Sequence, residues 1–87
     1  MEQDSAFEFP CEIPVKVFGH NDDEFIHVVT TIVKAHFVSF SDTDVSERLS
    51  RNDRYLSLTV RVFAESREQI DALYTELSGH ESILMVL

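Results

Sequence analysis

Cysteine is nearly missing from this 87-residue sequence: Cys11 stands alone. It cannot close an internal disulfide, and one thiolate cannot build a zinc cluster. No motif around it supports a thiol nucleophile. Tryptophan is absent, and glycine and proline number two each. So few breakers leave no room for long linkers or a low-complexity tail. No apolar run approaches the roughly 20 residues that cross a bilayer. The opening MEQDSAFEFP is acidic and lacks the basic-then-apolar order of a secretion signal. The expected location is therefore the cytoplasm.

Bases are scarce as well: seven Lys and Arg face 16 Asp and Glu, a formal charge of −9. Nucleic-acid binding draws much of its strength from neutralising phosphates. A chain this acidic repels phosphate at long range. Nucleic acid and anionic membrane surfaces are thus expected to be poor partners. A basic protein surface, or a neutral or cationic small ligand, is allowed. Catalytic signatures are missing too. There is no glycine-rich phosphate loop, no G-x-S-x-G elbow and no zinc pattern. None of the four histidines forms an H-x₃-H pair. No catalytic residue, metal or cofactor is assigned.

What is present is globular: 44% hydrophobic residues at a mean hydropathy of −0.07. The length fits one domain. Residues 1–8 have no usable period and are expected to be a flexible segment, with a single domain over 9–87. CEIPVKVFG alternates, with Ile13, Val15 and Val17 on one side and Lys16 and Phe18 on the other, as a strand does. Pro14 must then sit where its missing N–H faces no neighbour. From Phe25 the period becomes helical, with Phe25, Ile26, Val29, Ile32, Val33 and His36 on one face. His36 is expected either to be buried with a backbone partner or to be favoured by the negative helix end. Phe37–Ser50 is less clear, and Val45, Glu47 and Leu49 imply a second strand of uncertain register. RND reads as a tight turn. RYLSLTVRVFA is the clearest strand, with Leu56, Leu58, Val60 and Val62 inward. SREQ is a capping box opening a second helix whose stripe is Ile70, Leu73, Tyr74 and Leu77. Gly79 is placed to end it in a left-handed conformation. SILMVL closes the chain as an apolar strand.

The order β-α-β-β-α-β, with one apolar stripe per helix, predicts an α+β, ferredoxin-like fold. Two helices would cover one face of a four-stranded antiparallel sheet, with the first and third strands central.

The acidic run GHNDDEF invites a metal or acid–base reading. Its spacing favours a helix start instead. Asn21 is the expected N-cap with Glu24 at N3, and Asp22 and Asp23 fill the first turn, where carboxylates are favoured. Consecutive residues entering a helix splay outward and do not converge on an ion. Those carboxylates also occupy the field that would otherwise attract phosphate or a ligand carboxylate.

The sheet face away from the helices would carry Lys16, Phe18, Tyr55, Thr59, Arg61 and Phe63. The last strand adds either Ile83, Met85 and Leu87 or Leu84 and Val86. Aromatics beside bases on central strands are a feature of RNA-recognition sheets. The glycine–aromatic pattern of such sheets is missing, however. The expectation is a protein surface on this face or on the ILMVL edge, most economically a second copy; the alternative is a monomer whose N-terminal segment folds over Phe18 and Phe63. Phe18, Tyr55, Phe63 and Met85 are the interface candidates.

The stretches FP (Phe9, Pro10), KVFG (Lys16–Gly19), YLSLTV (Tyr55–Val60), LYTEL (Leu73–Leu77) and MVL (Met85–Leu87) resemble the YbeD-like family of small bacterial proteins. The resemblance covers Phe9 to Leu87, and His36 matches it as well. One departure is the RND turn, where the family would carry a glycine. The resemblance implies an ACT-like domain and a non-catalytic regulatory or interaction module. In ACT domains the turn after the first strand helps to bind an amino acid at a subunit interface. Gly19 holds that place here. Gly19, His20 and Asn21 are therefore the candidates for holding a small metabolite against a neighbouring subunit of a homodimer. Two alternatives remain. One is an adaptor that binds a partner protein through acidic helical positions such as Glu65, Glu68, Asp71 and Glu76. The other is a small enzyme using His36 or His20.

Overall fold

The computed structural model describes residues 8–87. All but the last residue of the segment expected to be flexible lies outside them. The chain runs β1 (Cys11–His20), α1 (Asp23–His36), a 3₁₀ turn (Asp42–Asp44), β2 (Val45–Leu49), β3 (Tyr55–Ala64), α2 (Arg67–Ser78) and β4 (Ile83–Val86). The four strands form one antiparallel sheet in the order β2-β3-β1-β4. Both helices cover one face of it. This is the ferredoxin-like arrangement that the sequence predicts, with β1 and β3 central.

Alternation builds the core. Ile13, Val15 and Val17 of β1 lie opposite Val62, Val60 and Leu58 of β3, and all six are buried. Phe25, Val29, Ile32 and Val33 of α1 and Ile70, Leu73 and Leu77 of α2 close over them. Each such side chain contributes about 1.5–3 kcal/mol by leaving water. Removing one fully, as in Leu73→Ala, costs about 2–5 kcal/mol. That is a large fraction of the 5–15 kcal/mol or so that holds a domain together. Pro14 is accommodated by the end of β4. Lys16 and Leu87 exchange backbone hydrogen bonds of 3.2 and 2.8 Å, so even-numbered amides of β1 face β4. Two residues earlier, β4 no longer runs alongside.

Four local readings need correction. The N-cap of α1 is Asp22, not Asn21: its Oδ1 accepts from the Phe25 amide at 2.8 Å. Asn21 is held elsewhere, its amide donating to the Arg54 carbonyl and its Nδ2 to the Asp53 carbonyl. This moves the helix start one residue along and puts Glu24 at N2. Gly79 is right-handed (φ −87°), and α2 ends through its amide on the Thr75 carbonyl. The residue with positive φ is Asp53, at 60°. It takes the left-handed place in the β2–β3 turn where a glycine was expected, a place Asp tolerates. In α2, Ser66 does cap the Gln69 amide, but Gln69 Oε1 accepts from Glu65 and not from Ser66.

Phe37 and Phe40 are buried beyond α1, in a stretch whose sequence shows no period. β4 resolves its two possible registers through a bulge. Phe18 pairs with Met85 and Val17 with Val86, while Gly19 pairs with Ile83, leaving Leu84 as the extra residue. Met85 and Leu87 therefore face outward and Ile83 inward. No helix among the described residues is long and apolar enough to cross a membrane.

Candidate functional site

The turn after β1 is packed more tightly than a ligand site requires. Gly19 is buried, and a Cβ there would overlap the ring of Phe25, with Phe25 Cγ only 2.8 Å away. Its lack of a side chain makes room for that ring. His20 ends β1 in solvent, its ring centroid 5.4 Å from that of Tyr55 across the strand pair. Asn21 ties the turn to the β2–β3 hairpin through two hydrogen bonds of 3.0 and 2.9 Å. The three ligand candidates are thus adjacent, but Gly19 and Asn21 already have structural work, and His20 alone offers a free polar group.

The acids beyond it have separate places: Asp22 caps α1, and Asp23 borders a groove. Among the described residues, no group of three or more His, Cys, Asp and Glu side chains converges to hold a metal ion. Asp23, Asp42 and Glu47 do line an open groove of about 380 Å³ between α1 and β2, with His27, Ile26 and Val45 beside them. It is a shallow, solvated trough.

His36 joins the two helices. Its Nε2 lies 2.7 Å from Glu76 Oε1, and its carbonyl accepts from Gln69 Nε2 at 3.1 Å. The partner is a carboxylate of α2, where a backbone partner or the helix end was expected. Glu76 is half exposed, so the pair contributes about 0.2–1 kcal/mol. Tyr74 also bridges elements, donating from its hydroxyl to the Leu87 carbonyl at 2.9 Å. Burial pushes the Tyr74 phenol pKa up.

The open face of the sheet carries most of the exposed large apolar side chains among the described residues. Phe18, Tyr55, Phe63, Met85 and Leu87 share it. Tyr55, Phe63, Met85 and Leu87 are 41%, 54%, 50% and 61% exposed. Phe18 and Tyr55 border a hollow of about 180 Å³ with Arg48 and Leu49. The four interface candidates therefore lie on one side of the sheet. Leu87 and Arg48 join them; the sequence offers Leu87 only within one of two alternatives for the last strand and does not place Arg48. Their signal was pairing register, with Leu87 opposite Lys16 and Arg48 opposite Ser57.

The edges of the sheet differ. β2 reads VSERL, with Glu47 and Arg48 charged and exposed. β4 reads ILMV, carries no charge, and pairs with β1 alone among the described residues. Charged residues blunt an edge strand, whereas an uncharged apolar edge invites pairing.

Comparison with known proteins agrees with this architecture. The family model described as "Protein of unknown function (DUF493)" matches residues 4–87. A UPF0250 protein of Chromobacterium violaceum is 42% identical over 86 residues, covering 99% of this chain and 97% of that one. A UPF0250 protein of Nitrosomonas europaea is 41% identical over 87 residues, covering 100% of both. Among solved structures, the H. pylori protein HP0495 superposes with a TM-score of 0.73 at 14% identity, covering 100% of this chain and 94% of that one. The ACT domain from the GTP pyrophosphokinase of Chlorobium tepidum superposes with a TM-score of 0.63 at 14% identity, covering 88% and 95%. At that identity these two likenesses speak for the fold alone. With nearly the whole chain matched by the family model and by relatives of about 40% identity, the chain belongs to the DUF493 (UPF0250) family of uncharacterised bacterial proteins, and its fold is ACT-like.

Proposed function

We propose that the protein is a cytoplasmic, non-catalytic interaction module that pairs with a second copy of itself along β4. The observation that carries this is the asymmetry of the sheet edges, one charged and one bare. Two β4 edges brought together antiparallel would continue the sheet and satisfy the backbone groups that face away from β1. An isologous contact of this kind closes on itself as a dimer. The apolar side chains of Leu84 and Met85 flank the edge and add to its burial. The Chlorobium tepidum neighbour is by name a domain of an enzyme, which supports reading this fold as a module that serves other proteins. The single cysteine, which has no disulfide partner, fits a reducing compartment.

Light scattering coupled to size exclusion tests the pairing. The wild type should elute at twice the 10.0 kDa chain mass, and Leu84→Lys at the mass of one chain. A wild type that stays at one chain mass at every concentration refutes the dimer.

A second reading retains a small metabolite at Gly19, His20 and Asn21, within a regulatory role. It is favoured by the exposed His20 ring beside Tyr55, close to the hollow at Phe18. A thermal-shift panel of amino acids tests it. A rise in Tm that His20→Ala abolishes supports it, and flat curves across the panel remove it. The adaptor alternative through the acidic helical surface has less to support it, since Glu76 is engaged with His36 and Asp71 with Arg67.

A further inference from the structure

The formal charge of −9 conceals a segregation of charge. Lys16, Arg48 and Arg61 all project from the open face, because they pair in register with Leu87, Ser57 and Pro14. Among the described strand residues, Glu12 is the one acid on that face. Arg51 and Arg54 add two bases in the β2–β3 turn at its end, beside Asp53. Three of the chain's seven bases therefore lie on this face and two more in the turn at its end, against Glu12 and Asp53 among the described residues. Among the described residues none of the five is in an ion pair. The two remaining bases lie on the helical side, where Lys34 pairs with Asp42 at 3.3 Å and Arg67 with Asp71 at 3.7 Å. The helical side and the strand ends hold most of the acids among the described residues.

Salt weakens the reach of one side's charges at the other through the surrounding water. The backbone measures 22 Å across its thinnest dimension. The Debye length is about 8 Å at physiological ionic strength. A partner at the sheet meets the nearby bases more strongly than the acids of the far side.

We propose that the open face is a docking surface for an acidic segment of a partner protein, one that alternates carboxylates with apolar side chains. This deepens the interaction-module reading and rests on it. The complementarity is twofold. Carboxylates meet Lys16, Arg48 and Arg61. Apolar side chains cover Phe63, Met85 and Leu87, which otherwise remain in water. A second copy docked face to face would set these bases against one another, so the face does not fit itself. Single-stranded nucleic acid fits it less well. Phe18 is half-buried, the Tyr55 ring is already neighboured by His20, and Met85 and Leu87 offer no stacking plane.

The test uses the full chain and a fluorescent peptide alternating glutamate with leucine and phenylalanine. Anisotropy should show saturable binding that weakens as salt rises. The double variant Lys16→Glu/Arg61→Glu should lose about tenfold or more in affinity, since it turns two attractions into repulsions. Phe63→Ser should weaken binding at every salt concentration. Glu65→Lys/Glu68→Lys, on the helical side, should bind as the wild type does. Unchanged thermal melts guard against loss of fold in each variant. Equal binding of a peptide with lysine in place of glutamate would overturn the proposal. So would indifference to the Lys16 and Arg61 reversals, or tighter binding of oligouridylate. A change of oligomeric mass in the face variants would make the face a self-interface and overturn it as well. Leu84→Lys, which targets the edge, should leave peptide binding in place, so failure of the dimer and failure of the face are read separately.

Discussion

Gly19→Ala separates a packing role from a ligand role at the turn after β1. Gly19 does not have a positive φ, so alanine suits its backbone. The conflict is steric. The added Cβ would lie 2.8 Å from Phe25 Cγ and nearer still to two other ring carbons. Carbon atoms rest at about 3.5–4.0 Å, so the ring must retreat by about 1 Å. Phe25 is 1% exposed, and its Cγ moves only with the whole side chain. Overpacking of this kind costs about 1–3 kcal/mol. Taking about 2 kcal/mol, and about 4–8 °C per kcal/mol for a domain of this size, Tm should fall by about 8–16 °C. Phe25→Ala removes all of the obstructing ring atoms and on its own should cost about 3–5 kcal/mol. Adding Gly19→Ala to that background should cost less than about 0.5 kcal/mol, which is a coupled pair in a double-mutant cycle. Urea and thermal denaturation give the values. Gly19→Ala with wild-type stability, or with an equal penalty in both backgrounds, refutes the packing account and returns the glycine to the ligand reading.

Asp22→Ala removes the side-chain cap of α1 and should cost about 1 kcal/mol, whereas Asn21→Ala should leave the helix cap intact. Helix content and urea midpoints of the pair check which residue caps. Asp53→Gly should equal or exceed wild-type stability, because glycine adopts φ 60° without strain, while Asp53→Val should lose about 1–2 kcal/mol. Tyr74 yields a pH dependence. Burial raises its folded-state pKa above the ordinary 10.0, so below that pH both states carry the proton. As pH rises through 10.0 the unfolded state ionises first, and stability falls. The wild type should therefore lose stability more steeply above about pH 10 than Tyr74→Phe does, as read from denaturation midpoints.

The strands and helices were legible because their periods are clean. Val15, Val17, Leu58 and Val60 alternate without a break, and α1 and α2 each carry one stripe. Edge and turn details were less so. The shift of the cap from Asn21 to Asp22 depends on a bond between Asn21 and Asp53, 32 residues away. No local pattern carries that information. The left-handed position fell to Asp53 and not to Gly79, since residue type only permits such a conformation and turn geometry demands it. The bulge at Leu84 decides which apolar side chains of β4 reach the open face, and an all-apolar run has no alternation to announce it. Charge was misleading in a different way. A total of −9 is a sum, while a partner senses a side. Lys16 and Arg61 were already assigned to the open face, but Arg48 needed the register of β2.

The backbone amide of Val86 reports most directly on whether the bare edge is used. Leu87 points its N–H to β1, so alternation turns that of Val86 away from the sheet. Hydrogen exchange followed by NMR over a range of protein concentrations measures it. Pairing along β4 predicts slow exchange at high concentration, faster exchange on dilution, and fast exchange throughout in Leu84→Lys. Exchange that is fast and independent of concentration in the wild type would contradict the pairing.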